Sequence, residues 1–345
     1  MKLSINKFNP FQTIAGFNQI EELKNFVVSE TCIVTMKDIW DLYSNRFPKN
    51  IDVYFVHSLE EKTLNKEIDK FNNYKMVIGF GGGQALDIAK FFSWKCKLTL
   101  FQFPTSLSVD AVFGHRSGIR RNGNVHYLGW AVPESIFIDY EIIQSAPKLF
   151  NYSGIGDVLC FFTGVLDWKY ADKKNKCEQK WQYNSELADK SLTYVDDLIA
   201  NVKDIKTMNE NGINTIIRAH QWGGNSFFSS GWNPRHIEGI EHFFFYNLEF
   251  LTNKKFIHGQ PVCLGFILGC LMHNKLEKRF IDFFENLDFN FSPMAMNLSW
   301  DDVTNTLKTL RSYIQKNNLW YGIGSDFEYS SEILIQLKDV INRLN

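Results

Sequence analysis

Three residues set far apart in this chain could share one divalent cation. They are Asp157 in Ser153-Gly154-Ile155-Gly156-Asp157, His242 in Gly239-Ile240-Glu241-His242, and His258 in Ile257-His258-Gly259-Gln260. One carboxylate and two imidazoles with a fourth position left open form a common catalytic zinc arrangement, in which the metal polarises a bound oxygen. The separations are long, so spacing alone is weak support. On position alone an ordinary N-cap or first-turn aspartate, where a helix begins, is the favoured reading of Asp157. A second chemistry lies in Met76-Val77-Ile78-Gly79-Phe80-Gly81-Gly82-Gly83-Gln84-Ala85-Leu86-Asp87-Ile88-Ala89-Lys90. An apolar run ends in Gly81, Gly82 and Gly83, and a helix pattern follows at once. Glycines let the backbone approach an anion because no Cβ intervenes. The following helix offers unpaired N–H groups and the positive end of its dipole. The segment therefore suits a phosphate or pyrophosphate, with a plain strand–turn–helix junction as the competing reading.

The elements that must position these residues follow two textures. Apolar β-type runs occur at 32–35, 53–56, 76–79, 98–103 and 135–138, with helix patterns at 19–28, 37–46, 58–72 and 84–94. Such alternation predicts an α/β, Rossmann-like domain with a parallel sheet, whose ligands sit beyond the carboxyl ends of the strands. Gly81–Gly83 lies at one such end and Pro104-Thr105-Ser106-Leu107-Ser108-Val109-Asp110 at another. Later, helical patterns dominate: 157–171, 184–202, 205–221, 239–252, 261–274 and 300–317. The expectation is a dinucleotide-binding domain over 1–146 and an all-helical domain over 147–345, packed closely with the active cleft between them.

The whole chain sets bounds on partners. Its 345 residues suffice for two domains, and 45% hydrophobic with 22% charged residues is ordinary for a globular protein. A net charge of −1 gives no basic excess for nucleic acid. No apolar run of bilayer length and no signal-peptide core is expected. Six scattered cysteines without a CxxC pair read as free thiols of a reducing cytoplasm.

Four ordered segments resemble the superfamily of iron-containing alcohol dehydrogenases, glycerol dehydrogenases and dehydroquinate synthases, and within it the sn-glycerol-1-phosphate dehydrogenase branch. Gly81-Gly82-Gly83-Gln84-Ala85-Leu86-Asp87-Ile88-Ala89-Lys90 resembles GGG-xxx-D-x-AK. Pro104–Asp110 resembles the PT-xx-S-x-D loop, and Ala146-Pro147, Gly154-Ile155-Gly156-Asp157 and Asp167-Trp168-Lys169 resemble AP…G-x-GD…DW-basic. Glu241-His242 and His258-Gly259 resemble the branch's EH…HG pair. The resemblance runs from about residue 15 to the C-terminal helices and implies a dehydroquinate synthase-like fold.

It also implies roles. Gly81, Gly82 and Gly83 would hold the pyrophosphate of NAD or NADP, with Asp87 and Lys90 supporting that loop or the ribose. Thr105, Ser106 and Ser108 would line the nicotinamide side, and Asp110 would contact the reacting end of the substrate. Asp157, His242 and His258 would bind one divalent metal, zinc before nickel or iron. The implied reaction interconverts dihydroxyacetone phosphate and sn-glycerol 1-phosphate, or a related small phosphorylated or hydroxylated ketone and alcohol, in a homodimer or larger homo-oligomer.

Departures from the branch gather on the substrate side: Ala111-Val112-Phe113-Gly114-His115 after Asp110, Glu238 where a serine is expected, and Gln260 where a glutamate is expected. Met36 stands where NAD-preferring members carry an acid, leaving NAD against NADP open. Arg116, Arg120, Arg121, Lys169 and Arg235 are candidate phosphate partners, with plain surface charge as the alternative. His273 is a candidate third metal histidine, and His115 and His126 are candidate proton relays. Two other readings are a carbocycle-forming synthase, disfavoured because such enzymes place Glu at the first metal position, and a dehydrogenase of another polyol. A silent nucleotide-binding relative is the reading from outside catalysis.

Overall fold

Strands form where β-branched and aromatic residues alternate between two buried faces. The computed structural model describes residues 11–121 and 123–344, and the chain divides into units Met1–Asn151 and Tyr152–Asn345. The first unit runs β1 (Thr13–Gly16), α1 (Gln19–Lys24), β2 (Thr31–Thr35), α2 (Lys37–Tyr43), β3 (Asp52–Phe55), α3 (Glu61–Asn65), β4 (Met76–Gly81), α4 (Gly83–Cys96), β5 (Thr99–Pro104), β6 (Ser117–Arg121), β7 (Asn124–Leu128), β8 (Ser135–Asp139) and α5 (Tyr140–Ser145).

Six strands pair in the order β1-β8-β5-β4-β2-β3, and every pairing is parallel. The alternation along β2 and β4 shows why both sheet faces are dry. Cys32, Val34 and Val77 join one core with Leu64, Ile88 and Phe92, while Ile33, Met76, Ile78 and Phe80 join the opposite core with Ile20, Phe103 and Phe137. A parallel sheet covered on both sides reads as such a continuous apolar run. In register, Gly81 lies beside Pro104, and the Thr105 N–H donates to the Gly81 carbonyl at 3.0 Å. The two motif loops therefore share one edge of the sheet.

Three local expectations need correction. The helix pattern over 58–72 breaks into α3 and a 3₁₀ turn at Ile68–Phe71. The pattern over 205–221 splits at Met208, which turns the chain with φ of 50°. Strand β1 and the antiparallel β6–β7 hairpin are additions to the predicted strands.

The second unit is helical. It contains most of α6 (Lys148–Lys173), then α7 (Ser185–Ala200), α8 (Val202–Thr207), α9 (Glu210–Ser229), α10 (Ile240–Thr252), α11 (Gly259–Met272), α12 (Lys278–Leu287), α13 (Trp300–Lys316) and α14 (Ser331–Leu344). Against the expectation of no bilayer-length run, α6 is long and apolar enough to cross a membrane. However, 83% of its apolar window is buried inside the protein, so its composition is that of a core helix. Ile240 and Phe243 of α10 pack on Leu310 and Ile314 of α13, and Trp168 of α6 packs with Ala188 of α7.

Candidate functional site

Asp157 lies inside α6 rather than at a helix start, which corrects the first-turn reading. His242 sits in the first turn of α10, and His258 caps the N-terminus of α11. Close helix approach brings them together. A Cβ on Gly259 would lie 1.8 Å from the Ser153 carbonyl oxygen, and one on Gly156 would lie 3.2 Å from Gly259 Cα. Only glycine at 259 allows this contact, in which the Gly259 N–H donates to Ser153 Oγ at 2.7 Å. Gly265 gives α10 the same proximity to α11, since its Cβ would meet the Glu241 carbonyl oxygen at 2.6 Å.

The result is a triangle of donor atoms. His258 Nε2 is 2.8 Å from Asp157 Oδ1, His242 Nε2 is 3.3 Å from His258 Nε2, and His242 Nε2 is 3.8 Å from Asp157 Oδ1. A tetrahedral ion with bonds of 2.0–2.1 Å needs ligand–ligand edges of about 3.3 Å. The three edges bracket that value, so the donor set fits a small divalent cation. The side chains of Asp157 and His242 are 8% and 9% exposed, whereas that of His258 keeps 25%, leaving one open side.

Behind His242 stands Glu241, whose chemistry the sequence reading left unassigned. Its Oε1 lies 3.0 Å from His242 Nδ1 and accepts from the Gly239 N–H at 2.6 Å, while Oε2 accepts from Thr163 Oγ1 at 2.6 Å. A carboxylate on Nδ1–H turns the Nε2 lone pair toward the triangle. The only signal in the sequence is that Glu241 adjoins His242. Cys160 also approaches this pair, with Sγ 2.8 Å from the carbonyls of Asp157 and Ile237.

Charge is distributed accordingly. Burial opposes ionisation of Asp157, but His258 and His242 outweigh it and hold the carboxyl below its ordinary value. Burial likewise opposes charge on His242, yet Glu238, Glu241 and Asp157 lift its pKa to about 9. Burial pushes Glu238 upward, with His242 and the Tyr246 hydroxyl acting against it.

In the first unit the glycine junction is built for close approach. Gly81 has φ of 149°, a conformation that favours glycine, and a Cβ on Gly83 would stand 2.7 Å from Val109 Cγ2. Gly82 caps α4, and a Cβ there would reach only Ser106 Oγ at 3.9 Å and Ser108 Oγ at 4.0 Å. A side chain at 82 would thus fill a hollow edged by two hydroxyls, which suits a bound phosphate group. Lys90 is 1% exposed and pairs with Asp87 at 2.7 Å. Its Nζ also donates to the carbonyls of Ala111, Gly114 and Arg116 at 2.8, 3.3 and 2.7 Å. Asp87 and Lys90 therefore brace the loop that carries Asp110, which opens a 3₁₀ turn at Asp110–Phe113.

Other candidates fall elsewhere. Arg235 is buried and spends its guanidinium on the carbonyls of Tyr321 (2.7 Å) and Asp167 (3.5 Å), so it is closed to a phosphate. Arg121 pairs with Glu61, and Lys169 lies over the Tyr183 ring. His273 pairs with Asp167 at 2.9 Å and does not join the triangle. Asp167 also accepts from the Ile240 and Ile323 N–H groups, holding the start of α10. His115 is wedged between Phe11 and Trp130, where burial lowers its pKa to about 4, and His126 is exposed on β7. Gln260 donates to the Asn290 carbonyl, and Met36 precedes α2.

Comparison with known proteins finds similar sequences and similar folds. The profile of the iron-containing alcohol dehydrogenases matches residues 25–147. The glycerol-1-phosphate dehydrogenase [NAD(P)+] of Pyrococcus abyssi is 29% identical over 248 residues, 72% of this chain and 68% of that protein. That of Hyperthermus butylicus is 25% identical over 279 residues, covering 76% and 78%. The match to the iron-containing alcohol dehydrogenases thus lies within the first unit, and the similarity to glycerol-1-phosphate dehydrogenases extends over about three quarters of the chain. A solved structure, a probable glycerol dehydrogenase from Sinorhizobium meliloti, shares its fold with a TM-score of 0.70 at 15% identity, covering 96% of each chain. A 2-epi-5-epi-valiolone synthase from Streptomyces hygroscopicus, solved with NAD+ and Zn2+ bound, shares the fold with a TM-score of 0.63 at 14% identity, covering 100% of each chain.

Proposed function

We propose that this protein is a metal-dependent NAD(P)H oxidoreductase that interconverts dihydroxyacetone phosphate and sn-glycerol 1-phosphate. The observation that carries the reading is the Asp157–His242–His258 triangle backed by Glu241. The names of the similar archaeal dehydrogenases supply the substrate and the NAD(P) pairing. Residues 1–146 bind the dinucleotide and 147–345 hold the metal and substrate. Zinc suits a carboxylate and two imidazoles best, with nickel or iron as alternatives. The six free cysteines support a reducing cytoplasm, and a homodimer or larger assembly is carried over from the resemblance.

When bound, the nicotinamide supplies hydride and the metal polarises the ketone. The chain's own residues prepare that step. Asp157, His242 and His258 supply three ligands and leave the fourth direction to substrate. Glu241 holds the His242 proton at Nδ1, so that Nε2 faces the site. Gly81, Gly82 and Gly83 admit the pyrophosphate beside the N-terminus of α4. Thr105, Ser106 and Ser108 line the nicotinamide side, and Asp110 holds the reacting end of the substrate.

The test is product analysis. Metal-reconstituted protein given dihydroxyacetone phosphate with NADH or NADPH should form sn-glycerol 1-phosphate, read by chiral chromatography. Formation of the opposite enantiomer, or no product with metal bound, contradicts the reading.

A further inference from the structure

Besides Asp157, two carboxylates act on His242, and they are placed differently. Glu241 is fully buried and both its oxygens accept hydrogen bonds from protein donors. Glu238 keeps part of its surface open. Among the described residues its one side-chain hydrogen bond comes from Tyr246 Oη to Oε1, at 2.9 Å. The carboxylate is nevertheless held in place. The Glu238 N–H donates to the Pro234 carbonyl at 2.9 Å. Gly164 of α6 packs so closely that a Cβ there would lie 2.9 Å from the Glu238 nitrogen. The Tyr246 ring that supports the carboxylate also lies 5.8 Å from the His242 ring. Glu238 is thus a fixed, partly open acceptor beside a candidate metal ligand. It stands where the resembling branch carries a small neutral serine.

We propose that Glu238 accepts a hydrogen bond from the unphosphorylated hydroxymethyl group of the substrate and so fixes which end of the molecule faces the α10 side of the site. This rests on the glycerol-phosphate reading above. A carboxylate oxygen accepts from a hydroxyl, whereas phosphate oxygens at neutral pH are themselves acceptors, so the hydroxyl end is favoured at this position over the phosphate end. A serine would accept the same hydroxyl without imposing that polarity. Glu238 is therefore a specificity residue of this site.

The experiment compares two ketone phosphates, dihydroxyacetone phosphate and its analogue with a methyl group in place of the hydroxymethyl group. Turnover is measured with the metal-loaded protein. Calorimetry on the same protein without nucleotide then gives the affinity for the two corresponding alcohols. A hydrogen bond to a charged group is expected to give wild type a preference of about 10- to 100-fold for the hydroxylated member. Glu238→Ala should erase that preference by weakening the hydroxylated ligand alone. Glu238→Gln, which keeps the shape and one acceptor, should retain part of it. Tyr246→Phe, which leaves the carboxylate in place, should retain most of it. Equal weakening of both ligands in Glu238→Ala would mark Glu238 as structural and overturn the proposal, as would no change. Turnover of neither ketone by wild type with metal bound would instead reject the glycerol-phosphate reading, and this proposal with it.

Discussion

Each imidazole of the triangle needs its other nitrogen controlled, and for His242 Glu241 does this. Outer carboxylates of this kind are typically worth 10- to 100-fold in metal affinity. Glu241→Gln should therefore weaken zinc binding by about that factor in a competitive chelator titration. Unchanged affinity would remove Glu241 from the account. Protons compete for the same site. In the metal-free protein His242 has a pKa of about 9, so a metal must displace its proton. Apparent zinc affinity should rise by at least about tenfold between pH 6 and pH 8, and a flat profile would contradict it. At this scale the three residues of the triangle were legible as candidates, because Asp157, Glu241-His242 and His258-Gly259 are motif residues. The partners were not. Thr163 reaches Glu241 from another helix, and Arg235, a phosphate candidate by type, is consumed by two carbonyls. Such pairings depend on helix crossings that no local pattern encodes.

At the scale of elements, the β4–α4 junction and the loop braced by Lys90 make separable predictions. Gly82→Ala should leave the fold intact, because its Cβ meets nothing closer than 3.9 Å, yet it should weaken NADH binding about tenfold or more by filling the hollow. A fluorescence titration checks this, and unaltered NADH affinity would place the dinucleotide elsewhere. Lys90→Ala leaves the Asp87 carboxylate, only 15% exposed, without its cation and frees three carbonyls of the Ala111–Arg116 segment. Removing one partner of a buried pair costs about 3–5 kcal/mol, to be read by denaturant unfolding. The alternation of strand and helix that places this junction was plain in the sequence, since both faces of β2 and β4 are apolar. Four-residue β1 and the β6–β7 hairpin were not, because short strands acquire their character from pairing partners.

Across the whole molecule, two buried histidines stay neutral. Burial lowers His236 to about 3 and His115 to about 4. The unfolded chain takes up these protons below about pH 6.5, while the folded chain refuses them until far lower. Stability from both groups is therefore present above pH 6.5 and lost as pH falls toward 4. At pH 5 each should cost about 2 kcal/mol relative to pH 7. His242 has the opposite sign, and its contribution in the metal-free protein is complete below pH 6.5 and lost as pH rises through 9. Chemical denaturation of metal-free protein at pH 5, pH 7 and pH 9 separates the two windows, and equal stability at pH 5 and pH 7 would contradict the assignment of the two neutral histidines. The passage from an alternating α/β part to a helical one was also legible, from the change to helical patterns.

The most direct test of the central claim is the rate of NADH and NADPH oxidation driven by dihydroxyacetone phosphate. It is measured on chelator-stripped protein, on zinc-reconstituted protein and on reconstituted Asp157→Ala. The account predicts turnover that appears with zinc, disappears with chelator and is absent from the variant along with its stoichiometric metal. Turnover that survives chelation, or that the Asp157→Ala variant retains in full, would contradict it.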